Sequence, residues 1–252
     1  MNLELEGSPI ALIQTEPKSK KNDILSVGKA DNNIEEFKCN PKQTLQQLPD
    51  VSKERTILYV TGASGSGKSY YVKNFADQYR KLYPKRPIYV FSALADDTGS
   101  LDKIKKLQRV KIHDPEFLAE QISTDEFKES LCIFDDCEAI GNKTLRKKVW
   151  EIQNGILTTG RHHSISCAVC THTATNGNET KLILNEAHSV TIFPTGLGGR
   201  SLKYLLEGYF GLDKHQIKRL KKLDSRWVTV VKGYPMTVLS EKEAYVLRNT
   251  DD

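Results

Sequence analysis

A chain of 252 residues, 38% hydrophobic and 27% charged, suffices for one substantial α/β core and is too short for a second full domain. Its net charge of +5, from 37 Lys+Arg against 32 Asp+Glu, permits a polyanionic partner without demanding one. No apolar run approaches the ~18 residues of a membrane span, and five cysteines without framework spacing suit a reducing compartment.

The start, Met1-Asn2-Leu3-Glu4, lacks the basic-then-apolar order of a signal peptide, so an intracellular protein is expected. Residues 1–53 are polar and weakly patterned, with Lys18, Lys20 and Lys21 followed by Asp31, Asn32, Asn33, Glu35 and Glu36. They read as a partly disordered arm with a short docked element near Ile10 to Ile13, preceding a domain over 54–252.

Thr56 to Thr61 is a short apolar, β-rich run, expected as a buried strand. It leads into Gly62-Ala63-Ser64-Gly65-Ser66-Gly67-Lys68-Ser69, the G-x-x-x-x-G-K-[ST] spacing of a Walker A loop. Small residues let the backbone curl so that N–H groups and the next helix N-terminus face a polyphosphate. Lys68 then reaches the β- and γ-phosphates, and the Ser69 hydroxyl is offered to Mg²⁺. Val72, Phe75, Ala76, Tyr79 and Leu82 recur at helical spacing until Pro84, giving the strand, loop and helix that the chemistry requires.

Further strands are expected at Ile88 to Phe91, Leu131 to Phe134, Ile165 to Thr171 and Val190 to Phe193. Helices are expected at Phe117 to Ile122, Lys143 to Leu157, Glu179 to Glu186, Leu202 to Phe210 and Lys214 to Leu223. Repeated βα order means a largely parallel sheet with helices on both faces, a P-loop α/β fold. Trp227 to Val231 and Met236 to Leu239 flank Gly233-Tyr234-Pro235 as a C-terminal hairpin.

Asp135-Asp136 at the tip of Leu131 to Phe134 is a Walker B element. Asp135 is the candidate Mg²⁺ ligand; Asp136, or alternatively Glu138, is the carboxylate that orients attacking water. Thr171 and His172 close a strand at the nucleotide edge and are candidate γ-phosphate sensors. Arg161 stands at the start of that strand, some 20 Å from its own nucleotide, where it can act as an arginine finger in a neighbouring subunit or simply cap a helix end. Cys167 and Cys170 sit on opposite faces of a strand and read as packing residues, and His162 and His163 lack suitably spaced partners for a metal. Basic clusters occur at Lys103, Lys105, Lys106, Arg109 and Lys111, at Arg146 to Lys148, and at Lys218, Arg219, Lys221 and Lys222, as phosphate contacts or solvated helix faces.

The Walker A loop, Ile133-Phe134-Asp135-Asp136, the Gly160-Arg161-His162 turn and Asn185-Glu186-Ala187-His188 before Val190 to Pro194 together resemble the poxvirus-type virion DNA-packaging ATPases. These are similar to the wider FtsK-HerA superfamily, and the resemblance spans about residues 54–240. It implies ATP and Mg²⁺ as cofactors and a homo-oligomeric, hexameric ring that drives double-stranded DNA into the capsid of a large DNA virus or related element. It further implies a capsid or portal partner and a viral assembly site in the host cytoplasm or the virion. The superfamily usually has glutamine where this chain has His172. In such a motor Thr195-Gly196-Leu197-Gly198-Gly199-Arg200 is a candidate pore or inter-subunit loop, or equally a plain connection. The alternative is a P-loop small-molecule or nucleotide kinase, although the expected lid region is not arginine-rich and an acidic dyad suits hydrolysis. A guanine-selective switch is disfavoured because Asn142-Lys143-Thr144-Leu145 places leucine where N-K-x-D needs aspartate.

Overall fold

Ile10 to Ile13 anchors the first part of the chain, as its apolar run suggests: all four residues are buried. The computed structural model describes residues 2–4, 7–16, 23–28, 35–94 and 99–247. Within the N-terminal segment lie β1 (Asn2–Glu4), β2 (Ser8–Thr15), β3 (Asp23–Gly28), β4 (Glu36–Lys38) and β5 (Gln43–Gln47). Four of them pair antiparallel in the order β1-β3-β2-β5. The partly disordered arm expected over 1–53 is therefore, in its described residues, mostly sheet. Lys18, Lys20, Lys21, Asp31, Asn32 and Asn33 lie outside the described residues.

A buried polar network explains why composition hides this sheet. Gln47 Nε2 donates to Ser189 Oγ (2.6 Å), and its Oε1 accepts from the Tyr71 hydroxyl (2.6 Å). Satisfied on both sides, the amide is buried at little cost, yet Gln-Thr-Leu-Gln-Gln reads as a surface run.

The remaining elements alternate. β6 (Ile57–Thr61) leads through the glycine loop to α1 (Lys68–Leu82), then β7 (Ile88–Ser92), β8 (Leu107–Arg109), α2 (Pro115–Ala119) and β9 (Leu131–Asp135). α3 (Lys143–Thr159), β10 (Ser166–Thr171), α4 (Asn178–Glu186), β11 (Ser189–Ile192) and α5 (Gly199–Lys203) follow. The chain continues through α6 (Lys214–Lys221) to β12 (Val228–Val231), β13 (Thr237–Ser240) and β14 (Glu243–Val246).

These strands build a ten-stranded sheet in the order β4-β14-β13-β12-β11-β6-β10-β9-β7-β8. Pairings from β11 to β8 are parallel, and those from β11 through β12, β13 and β14 to β4 are antiparallel. The expected hairpin is present as β12 and β13, and β14 and β4 extend it. The helix expected over Phe117 to Ile122 is the shorter α2, started at Pro115 by an Asp114 side chain that accepts from the Glu116 N–H. The helix expected over Leu202 to Phe210 is α5 followed by a π-helical stretch, Tyr204–Tyr209.

Alternation along the buried strands divides the core between the two sheet faces. Phe134, Ile156, Cys167 and Val169 pack on one side, while Val60, Phe75, Ile133 and Cys170 pack on the other. Burial pushes both thiols up from their ordinary range, as expected of packing cysteines.

Candidate active site

Parallel register brings Thr61, Thr171 and Ile192, the last residues of β6, β10 and β11, to one edge of the sheet, with Asp135 of β9 beside Cys170. The glycine loop caps this edge. Gly65 (φ +73°) and Gly67 (φ +108°) take left-handed conformations that side chains oppose. Gly62 is held by crowding instead: a Cβ there would lie 2.6 Å from Phe193 Cβ and 2.7 Å from Ser66 Oγ. α1 begins at Lys68 with no acidic residue in its first turn, leaving a positive helix end for an anion.

Lys68 is buried, and its Nζ donates to the carbonyls of Gly62 (3.0 Å) and Ala63 (3.3 Å). His172 Nδ1 lies 3.1 Å from the same amine, and Asp136 Oδ1 is 3.8 Å away. His172 Nε2 is 2.9 Å from Asp136 Oδ2. One tautomer satisfies both contacts: Nε2–H donates to the carboxylate while Nδ1 accepts from the lysine. Tyr59 steadies the turn carrying His172, since its hydroxyl is 2.7 Å from Thr171 Oγ1 and donates to the Thr173 carbonyl at 3.0 Å.

Ser69 Oγ donates to Asp135 Oδ1 at 3.5 Å. A hydroxyl and a carboxylate so placed are hard oxygen donors suited to Mg²⁺. Asp136 follows in a left-handed conformation (φ +48°), which turns its side chain from the strand toward Lys68 and His172. Its Oδ1 is buried and has no hydrogen-bond partner among the described residues; the same holds for Ser66 Oγ in the loop. Glu138 is committed differently, its Oε1 accepting from the His172 backbone N–H at 2.6 Å. Burial pushes the Glu138 carboxyl above the usual range, with the neighbouring Asp136 charge adding to the effect.

Walker A residues Gly62 to Ser69, Asp135, Asp136, Glu138 and His172 thus converge. Arg161 does not join them. It lies just before β10, at the opposite edge of the sheet, where its Nε donates to Glu54 Oε2 (2.8 Å) and both side chains are exposed. Arg200, exposed on α5, follows a loop that touches the phosphate loop, since a Cβ at Gly196 would lie 2.8 Å from Ala63 Cβ. The basic clusters are partly spent internally: Arg109 on Asp102 (2.6 Å), Lys148 on the Phe117 carbonyl, and Arg219 on Glu36 (3.1 Å). Sequence reasoning gave Phe193 and Tyr59 no part in the site. The signal for Phe193 was its place just beyond a parallel strand's C-terminal end, which is the ligand edge of such sheets.

A buried strand, a glycine loop, an uncapped helix and an acid-tipped strand two places along the sheet define a P-loop NTPase. No protein-family model matches the chain. Protein V3 of Sputnik virophage, described as uncharacterized, is 40% identical over 196 residues, covering 77% of this chain and 78% of V3. The genome packaging NTPase B204 of Sulfolobus turreted icosahedral virus 2, solved with ATP-gammaS, matches with a TM-score of 0.51 at 15% identity, over 75% of this chain and 98% of B204. The cytoplasmic domain of the type VII secretion ATPase EccC of Thermomonospora curvata has a TM-score of 0.51 at 10% identity, over 89% of this chain and 30% of EccC. The chain belongs to the family of virophage V3, and its fold is similar to that of the viral genome packaging NTPase B204, in line with the sequence resemblance to packaging ATPases.

Proposed function

We propose that the chain is an ATPase that drives double-stranded DNA into a preformed viral capsid. The observation that carries this reading is the approach of Ser69 Oγ to Asp135 Oδ1 at 3.5 Å beside a buried Lys68. Ser66 Oγ and Asp136 Oδ1, buried without a hydrogen-bond partner among the described residues, add to it, because a triphosphate and its attacking water would satisfy both. The residues fit ATP with Mg²⁺. Ser69 and Asp135 would hold the metal, which supplies charge neutralisation at the phosphate oxygens when bound.

The chain's own groups divide the remaining work. Loop N–H groups and the α1 N-terminus hold the phosphates, and Lys68 exchanges its loop carbonyls for the β- and γ-phosphate oxygens. Asp136 orients water with the oxygen not engaged by His172, and Glu138 is the second choice because its Oε1 is occupied. His172, linked to both Lys68 and Asp136, reports the γ-phosphate to the strand edge. Residues 54–252, with β4 completing their sheet, form the ATPase unit of a homo-oligomeric, hexameric ring. Arg161 faces the neighbouring subunit's nucleotide, and Arg200, at the start of α5, is carried toward DNA phosphates by the loop that precedes it and touches the P-loop.

A capsid or portal protein is the docking partner, at the viral assembly site. Among the described residues no helix is long and apolar enough to cross a membrane. Against the kinase alternative, the expected lid region is not arginine-rich and the acidic dyad suits hydrolysis. Measuring ATP hydrolysis with and without duplex DNA, beside a panel of nucleoside acceptors, tests the reading. DNA-stimulated phosphate release with no transfer to an acceptor is expected; phosphoryl transfer to a nucleoside would overturn it.

A further inference from the structure

A cavity of about 250 Å³ opens between α3 and α4, on the sheet face away from α1. Its floor is apolar, built from Phe134 of β9 and Val169 of β10, with Ile183 of α4 on one side. The opposite wall is a single face of α3, because Lys143, Arg146, Lys147, Trp150 and Gln153 follow one another at helical spacing.

That wall carries groups that nothing in the fold uses. Gln153 is only 5% exposed, yet its side-chain amide makes no hydrogen bond among the described residues. A buried amide left unpaired is costly, so a ligand that pairs with it is favoured. Trp150, a large apolar ring, stands 40% exposed at the rim. Lys143 and Arg146 make no ion pair among the described residues, and Lys147 meets the exposed Glu151 at 3.7 Å. Glu138 is the one acidic residue lining the cavity, and its Oε1 is already taken by the His172 N–H. Three cations against one carboxylate leave the entrance positive.

We infer that this cavity docks an acidic segment of a partner protein, which inserts one apolar side chain between α3 and α4. The inserted group covers Phe134, Val169 and Ile183 beneath Trp150, the flanking carboxylates meet Arg146 and Lys147, and the segment's main chain pairs with the Gln153 amide. Duplex DNA suits the site less well: its phosphates would satisfy the rim, but its bases stay stacked within the helix and leave the apolar floor empty. Naming the partner as the capsid or portal protein rests on the packaging reading; the docking chemistry does not.

Three acetylated pentapeptides test the inference by calorimetry: a central phenylalanine flanked by aspartates, the same peptide with glycine at its centre, and the same peptide with lysines in place of the aspartates. Tryptophan emission is a second readout, since of the two tryptophans only Trp150 is exposed and Trp227 is buried. The phenylalanine–aspartate peptide is expected to bind and shift the emission, the glycine peptide to bind about tenfold more weakly, and the lysine peptide not to bind measurably. Arg146→Glu, a change at an exposed position, is expected to weaken the first peptide about tenfold at an unchanged melting temperature. No binding of the first peptide, equal binding of the first two, or unchanged affinity in Arg146→Glu overturns the assignment. A duplex oligonucleotide that loses affinity in Arg146→Glu while no peptide binds also overturns it and makes α3 a nucleic-acid face. Failure of the packaging reading shows separately, as hydrolysis that duplex DNA does not stimulate, and leaves the peptide titrations as they are.

Discussion

Phe193 closes against Gly62 so tightly that a Cβ on the glycine would lie 2.6 Å from Phe193 Cβ. The ring also lies under the loop's far end, 3.4 Å from where a Cβ on Gly67 would stand, and meets Tyr71 edge-on at 6.1 Å between centroids. The loop is thus seated on a buried aromatic from the neighbouring strand. Gly62→Ala should displace it, destabilising the fold by about 1–3 kcal/mol through overpacking and weakening ATP at least tenfold. Phe193→Gly added to that variant should recover part of the ATP affinity, because it removes the Cβ that clashes. Thermal denaturation and nucleotide titration of both single variants and the double variant measure the coupling.

His172 couples Lys68 to Asp136 through its two ring nitrogens, while its backbone N–H is held by Glu138. The backbone bond survives any substitution at this position, so a side-chain change isolates the imidazole. His172→Gln keeps one acceptor and one donor and should retain hydrolysis within about tenfold. His172→Ala should lower kcat about a hundredfold at nearly unchanged ATP affinity, because Asp136 loses the partner that orients it. Steady-state kinetics with parallel binding titrations distinguish this from a loss of binding.

The candidate phosphate loop was legible because its logic is local: strand, loop and first helical turn follow one another in sequence, and the residue types are those a polyphosphate would require. Asp135 was legible as the polar end of an apolar run. What spacing did not carry was strand order. In space β10, not the sequence-intervening β7, separates β6 from β9, and so His172 reaches Lys68. The Gly62–Phe193 contact joins residues distant in the chain, and no single-sequence pattern encodes it. The N-terminal sheet was hidden for a different reason: Gln14 donates to Gln46, which donates to the Asn74 carbonyl, and Gln47 bridges the Tyr71 hydroxyl and Ser189, so these amides pack where composition suggests solvent.

Arg161 is exposed and, among the described residues, its side chain holds the exposed Glu54, an ion pair of small energetic weight in water. Arg161→Ala should leave the melting temperature within about 1 °C of wild type, as befits a surface substitution. Hydrolysis should nonetheless fall about a thousandfold if the guanidinium serves the neighbouring subunit's nucleotide. Mixing Arg161→Ala subunits with Asp136→Asn subunits should restore measurable activity, since some interfaces then pair an intact finger with an intact dyad. Verified mixed rings without recovery would remove Arg161 from catalysis.

His188 ties the start of β6 to the strand behind it, with its Nδ1 accepting from the Ile57 N–H at 3.2 Å. Burial, helped by the positive charges of Lys53 and Arg55, pushes its imidazole down to about 4 from an ordinary 6.5. The folded chain therefore keeps His188 neutral in a range where the unfolded chain protonates it. Stability from this group is intact above the unfolded value and is lost as pH falls through about 6.5 toward 4, up to about 3 kcal/mol. His188→Asn offers an uncharged acceptor to the same N–H and should flatten that acid slope while leaving stability at pH 8 within about 1 kcal/mol. Denaturation midpoints of the two proteins across pH 4–8 test the assignment; parallel curves would show that the acid sensitivity originates elsewhere.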